Sequence, residues 1–140
     1  MRIPINVKYK ERLMPNVLTH VFGSRVPSSI LAVVDTGSDI TILSNKDALQ
    51  LQIPTKGMTV TKNIQGIARG KLDLCQYNKK ISFYLKKEDQ TSFKIEINGL
   101  YVSVDSEACP ITIIGMDLLK NNNLRLFYDP QGEAYLEKLD

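Results

Sequence analysis

The stretch Leu31-Ala32-Val33-Val34-Asp35-Thr36-Gly37-Ser38 carries an apolar strand straight into an acid and then a glycine. Gly37 permits a sharp turn and a close backbone approach that a Cβ would block, and Thr36 sets a hydroxyl beside the carboxylate. An acid aimed at the end of an apolar strand is placed to react. The triplet alone also fits an ordinary Asx turn. Its surroundings sharpen it. Ile40-Thr41-Ile42-Leu43 reads as a second apolar strand, and Ile111-Thr112-Ile113-Ile114-Gly115 repeats the pattern near the C-terminus.

Working outward, apolar residues alternate with polar ones in Ile3-Ile5-Val7-Tyr9, Ile81-Phe83-Leu85 and Phe93-Ile95-Ile97. That period of two predicts strands, so the class is all-β. Pro27-Ser28-Ser29, Asn98-Gly99 and Asp129-Pro130-Gln131-Gly132 supply the turns. Two short helices are expected. Asn45 to Leu51 is capped by Ser44 or Asn45 and stops before Pro54, and Met116 to Lys120 ends in the Asn121-Asn122-Asn123 run. An internal echo links the halves: Val34-Asp35-Thr36, a strand and a helix, against Val104-Asp105-Ser106, a strand and a helix. Glu107 stands where the second acid would need a permissive glycine, so Asp105 is rejected as a catalytic group.

The 140 residues, 43% of them apolar, fit one domain over 1–140 and leave no room for a second. The net charge of +3 is mild. Its clusters, Lys8-Lys10-Arg12 and Lys79-Lys80-Lys86-Lys87, lack interleaved aromatics or a recognition helix, so they read as solvated strand ends with no nucleic-acid partner. Cys75 and Cys109 fit no zinc pattern. With no secretory h-region after Met1 and no glycosylation acceptor, they are expected as free, buried thiols in a reducing, cytoplasmic setting. The longest apolar run, Ile30 to Val34, falls far short of a membrane span. No metal cluster, phosphate loop or nucleophile elbow stands out, so no metal and no cofactor are expected. His20 has no motif partner and reads as a surface strand histidine.

On these residues the chain resembles the retropepsin-like aspartic proteases, the family of retroviral proteases and their single-domain cellular and microbial relatives. Three features carry the resemblance over about residues 15–128: Asp35-Thr36-Gly37, the Ile113-Ile114-Gly115 strand end leading into Met116-Asp117-Leu118-Leu119, and the hairpin candidate Ile64-Gln65-Gly66-Ile67-Ala68-Arg69-Gly70. The resemblance implies an all-β, closed, barrel-like acid-protease fold with one or two short helices and one Asp-Thr-Gly per chain. Hydrolysis by carboxylates needs two facing one water, and this chain offers one. A twofold homodimer acting on peptide substrates is therefore implied, with Asp35 as acid or base and the Thr36 hydroxyl bracing both loops. Gly37, Ser38 and Asp39 are implied to contact substrate, and Gly66, Ile67 and Ala68 to form a flap closing over it. Met116 stands where the retroviral enzymes commonly carry an arginine that pairs with the acid at the Asp39 position.

Two rival readings remain at this level. One is a non-catalytic dimer of the same fold that binds extended peptides as an added strand. The other is a context-dependent protease that is silent when isolated. The end segments, Arg2 to Tyr9 and Ala134 to Leu139, are expected to find their partners in an intermolecular sheet.

Overall fold

The structure is a computed structural model that describes residues 1–66, 70–105 and 107–139. The described residues form β1 (Arg2–Tyr9), β2 (Arg12–Phe22), β3 (Ser28–Val34), β4 (Ile42–Leu43), α1 (Asn45–Gln50), β5 (Lys62–Gly66) and β6 (Gly70–Tyr77). They continue as β7 (Ile81–Lys86), β8 (Ser92–Ile97), β9 (Leu100–Ser103), β10 (Thr112–Ile114), α2 (Met116–Asn121), β11 (Leu124–Tyr128) and β12 (Ala134–Lys138). The class is all-β with two short helices, as expected.

The period-2 residues bury one face of each strand. Ile3 and Ile5 of β1, Val17 and Val21 of β2, Ile30, Ala32 and Val34 of β3, and Ile81, Phe83 and Leu85 of β7 meet in one core. Each large aliphatic or aromatic side chain fully buried there contributes about 1.5–3 kcal/mol. β2 is long enough to serve three neighbours. It pairs with β3 over Asn16 to Val21, with β1 between Arg12 and Asn16, and with β7 at His20 to Phe22. Ser44 caps α1, its Oγ accepting the Asp47 N–H (3.1 Å), and Ala48 faces the core. Leu118 and Leu119 anchor α2. Gly99 takes φ +70 in the Asn98-Gly99 turn, a conformation that favours glycine.

The sheet runs in the order β11-β12-β1-β2-β3-β10-β4-β9-β6-β5, with β7 and β8 branching from β2. This corrects the expected closed barrel. The path is open, because among the described residues β11 and β5 each pair on one side only. At its centre β3 runs parallel to β10, β4 runs parallel to β9, and β10 and β4 meet antiparallel. Exchanging β3 with β9 and β4 with β10 maps this block onto itself, so the echo in the sequence is a pseudo-twofold in the fold.

The chain ends also differ from expectation. β12 lies between β11 and β1 of the same chain, with Ile3 opposite Leu136 and Ile5 opposite Ala134. Leu136 and Ala134 are buried in the core, so this arm is bound in cis by packing as well as by backbone pairing. Among the described residues, the outer side of β11 is left unpaired at this end of the sheet.

Candidate active site

Asp35 follows the last residue of β3, and its N–H donates to the Ile114 carbonyl (3.0 Å), which locks the acid to the end of β10. The chain then turns at once. The Gly37 N–H donates to Asp35 Oδ1 (2.9 Å), and the Ser38 N–H donates to the Asp35 carbonyl (3.2 Å). A backbone N–H on the carboxylate fixes its orientation. A Cβ at position 37 would stand 3.1 Å from Oδ1, so the glycine answers to close approach here; it is absent from the glycines of positive φ. Asp35 is half-buried, and Thr36 and Gly37 are exposed.

The face is set by alternation. Ile30, Ala32, Val34 and Ile114 point into the main core, which puts Val33, Asp35 and Ile113 on the opposite face. On that side Ile113 and Ile40 pack with Ile64, Leu72 and Tyr101 around a small cluster of Ile42, Leu74 and Cys109. An apolar wall thus lies beside the acid. Burial pushes the Cys109 thiol up to about 11 and also raises Cys75. Both cysteines are free and buried, and neither is poised as a thiolate nucleophile.

Asp39 and Ile40 are bent rather than extended, so the expected strand from Ile40 shortens to Ile42–Leu43. The cause is the start of α2. The Met116 N–H donates to the Ser38 carbonyl (2.8 Å), and the Asp117 N–H donates to the Asp39 carbonyl (3.2 Å). Gly115 makes this docking feasible, since a Cβ there would sit 2.3 Å from the Ile40 carbonyl oxygen. The Ser38 hydroxyl is spent on the Ile40 carbonyl (2.7 Å), so Ser38 builds the loop, while Asp39 stays exposed.

Beneath the loop lies a brace that the sequence reading missed. Thr41 Oγ1 donates to Asp117 Oδ1 (2.7 Å) and accepts the Gly115 N–H (3.0 Å). Thr112 Oγ1 donates to Asp47 Oδ2 (2.6 Å) and accepts the Ser44 N–H (3.0 Å). Each threonine ties its own strand to the opposite half's helix start, and both are buried. The recurrence of Ile-Thr-Ile at residues 40–42 and 111–113 was the signal that could have found them.

The structure therefore brings Asp35, Thr36, Gly37, Ser38 and Asp39 together with Ile113, Ile114 and Gly115. Gly66 pairs with Gly70 at the end of the β5–β6 hairpin, and the remaining flap candidates, Ile67 and Ala68, lie outside the described residues. His20 is exposed on β2, with Nδ1 2.6 Å from Ser29 Oγ, in a pairing local to the strands. Asp105 repeats the Asx turn, its Oδ1 accepting the Glu107 N–H (2.8 Å).

Residues 2–127 match the sequence profile of the retroviral aspartyl protease family, most of the chain, from β1 into β11. The chain belongs to that family. A retropepsin-like aspartic protease from Rickettsia conorii has a similar fold, with TM-score 0.58 at 19% identity over 97% of this chain and 89% of that one. EIAV protease complexed with the inhibitor HBY-793 gives TM-score 0.48 at 20% identity, over 82% and 93% of the two chains. The retroviral protease-like domain of Ddi1 from Leishmania major gives 0.46 at 16%, over 89% and 96%. No curated protein sequence matches the chain. The family and the fold together support aspartic protease function. Among the described residues no helix is long and apolar enough to cross a membrane.

Proposed function

We propose that residues 1–140 form one catalytic domain, an aspartic endopeptidase that works as a homodimer with Asp35 of each protomer facing one water. The observation that carries this reading is the Asp35 carboxylate itself, oriented by the Gly37 N–H at the end of β3 beside an apolar wall. One carboxylate of the pair, ionised, takes the water's proton while the other, protonated, polarises the scissile carbonyl. That paired carboxylates share one proton is a general property of aspartic proteases. Activity should therefore favour acid and fall as pH rises past neutrality, with two apparent pKa values belonging to the pair.

In this reading the Thr36 hydroxyl braces the two loops across the twofold, and Gly37 and Asp39 meet the substrate backbone. Gly66, Ile67 and Ala68 close over it. The exposed edge of β11 is where a second copy fits. The Asn123 carbonyl accepts from the Leu139 N–H, so the odd-numbered residues turn their backbone groups toward β12, and Leu124, Leu126 and Tyr128 turn theirs outward. A partner's β11 running antiparallel would satisfy them and remove the edge. Two buried, unpaired cysteines suit a reducing, cytoplasmic setting.

Active-site titration with a statine-type peptide tests the proposal, with an expected stoichiometry of one inhibitor per two chains. Specific activity should also rise with protein concentration. Tight peptide binding without turnover at any concentration would favour a binding module instead.

A further inference from the structure

β8 branches from the sheet and, among the described residues, pairs only with β7, so its other side is an open edge. The hairpin bonds show which residues face that edge. The Lys87 N–H donates to the Thr91 carbonyl (2.8 Å), and bonded pairs then alternate along the ladder through Leu85 with Phe93, Phe83 with Ile95 and Ile81 with Ile97. Ser92, Lys94 and Glu96 therefore turn their N–H and C=O groups outward. The Tyr84 carbonyl agrees: it points the other way, toward β2, where it accepts from Thr19 Oγ1 (3.3 Å).

The side chains on this edge form a pattern that reads the same in both directions. On the solvent face Lys94 and Glu96 stand two residues apart, both exposed, their charged groups 2.8 Å from each other. On the core face Phe93 and Ile97 are only partly buried, and Ile95 between them is buried. A second β8 laid antiparallel about Ile95 puts each Lys94 opposite the Glu96 of the other copy and each Phe93 opposite the other copy's Ile97. Lys94 and Glu96 are also outward-facing residues, so these opposed pairs exchange backbone bonds. Shifting the register by two residues either way sets Lys94 against Lys94 or Glu96 against Glu96, which like-charge repulsion disfavours. Space for the contact exists. A cavity of about 400 Å³ lies where β8 ends, with Glu96, Ile97 and Asn98 on one side and Leu118, Asn121 and Asn122 on the other. The incoming Phe93, opposite Ile97, arrives at its mouth.

We propose that the β8 edge is a self-recognition surface whose partner is a second copy of this chain, paired antiparallel about Ile95. Charged residues on an edge strand ordinarily deter strand addition. Here their alternation deters strands of other charge pattern and accepts the chain's own image, as an isologous interface requires. The surface is separate from the β11 edge, so it joins two chains, or two β11-paired dimers, without using the active-site interface.

Sedimentation of the full chain at about 100 µM, a concentration suited to a small interface, tests the proposal with two charge reversals. Lys94→Glu and Glu96→Lys each set like charges opposite one another, so each variant alone should sediment at half the mass of the parent or less. That ratio holds whether the remaining unit is one chain or an active-site dimer, so it does not depend on the endopeptidase reading. An equimolar mixture of the two variants sets two acids of one chain against two bases of the other and should return to the parent's mass, which also shows that both variants are folded. Equal masses for the parent and both variants would overturn the interface, and a mixture that stays at the variants' mass would overturn the pairing about Ile95.

Discussion

The two halves of the central block have the same topology and nearly the same polar scaffold, yet one is armed and the other is not. β3 leads into Asp35 and an Asx turn closed by Gly37, and β9 leads into Asp105 and an Asx turn closed by Glu107. Thr41 and Thr112 brace the two halves with matching bonds to Asp117 and Asp47. The difference lies in what surrounds each acid. Asp35 is half-buried, clamped to the end of β10 and beside the apolar wall, while Asp105 is exposed. Symmetry of the backbone therefore does not create a site. A site needs a glycine where the chain passes within contact of the carboxylate, and a neighbouring strand to hold the acid still.

The sharpest way to break the comparison is to remove each acid in turn. Asp35→Asn keeps the side chain's size and its bond from the Gly37 N–H but deletes the titrating group. Peptide kcat/KM should fall by about 10⁴-fold or more, with the dimer intact by sedimentation. Asp105→Asn should leave kcat/KM unchanged. Equal losses would mean that the second half also takes part in the chemistry, and an active Asp35→Asn protein would contradict the proposed mechanism.

Next in size is the difference between the two helix starts. Gly115 and Ser44 hold corresponding places, each donating its N–H to the other half's threonine. Only Gly115 has a backbone carbonyl pressed against the site of its missing Cβ. Gly115→Ala should cost about 3 kcal/mol, since the carbonyl it meets belongs to the loop docked on α2. Ser44→Ala loses one cap bond and should cost about 1 kcal/mol. Denaturant melts of the two variants check the ratio. Loss of activity in Gly115→Ala beyond the loss of folded protein would show that the docking also aligns Asp35.

How much of this was legible in the sequence depends on how far apart the interacting residues lie. The Asp35 turn is local, and so are both helices and the alternating strands, and each was readable from neighbours a few positions away. The threonine braces were not. Thr41 and Asp117 are separated by 76 residues, and Thr112 and Asp47 by 65, so neither pair exists until the sheet order is known. The placement of β12 failed for a related reason. Alternation shows that Ala134 to Leu139 is a strand but carries no information about which edge it joins, and in the fold Leu136 finds its core partner across from Ile3 in the same chain. The same burial means that deleting this arm would strip the core, so truncation cannot report on the dimer. The basic residues of the β1–β2 turn read as solvated in one dimension, and only the fold sets Lys46 and Ile111 beside them.

The braces themselves offer the third test. Thr41→Val and Thr112→Val each keep shape while leaving a backbone N–H and a carboxylate oxygen without their hydroxyl. Each should cost about 2 kcal/mol. Equal values would confirm that the pseudo-twofold extends to energetics. A larger cost at Thr41 would show that the half carrying the acid relies more heavily on its brace.

The smallest expected effect concerns what happens to the unarmed side when the pH is lowered to suit the armed one. Glu96 on β8 bonds Lys94 (2.8 Å) and Lys80 (2.9 Å), and hydrogen bonds from these two ammonium groups, followed by their charge, hold its carboxyl down at about 2. A folded value below the unfolded one means that the group's stabilisation is complete above the unfolded carboxylate range. It is lost as pH falls from there toward 2. Glu96 thus stays largely ionised at the mildly acid pH where a carboxylate pair can share its proton, and the β7–β8 hairpin keeps its cross-strand charges while the active site titrates. Because all three groups are exposed, the contribution is small and weakens with salt. Glu96→Gln should lower Tm slightly at pH 6, and the gap from the parent protein should close as pH drops toward 2. A gap that persists at pH 2 would mean that Glu96 acts through packing or neutral hydrogen bonds, leaving the second half with no electrostatic part in tolerating acid.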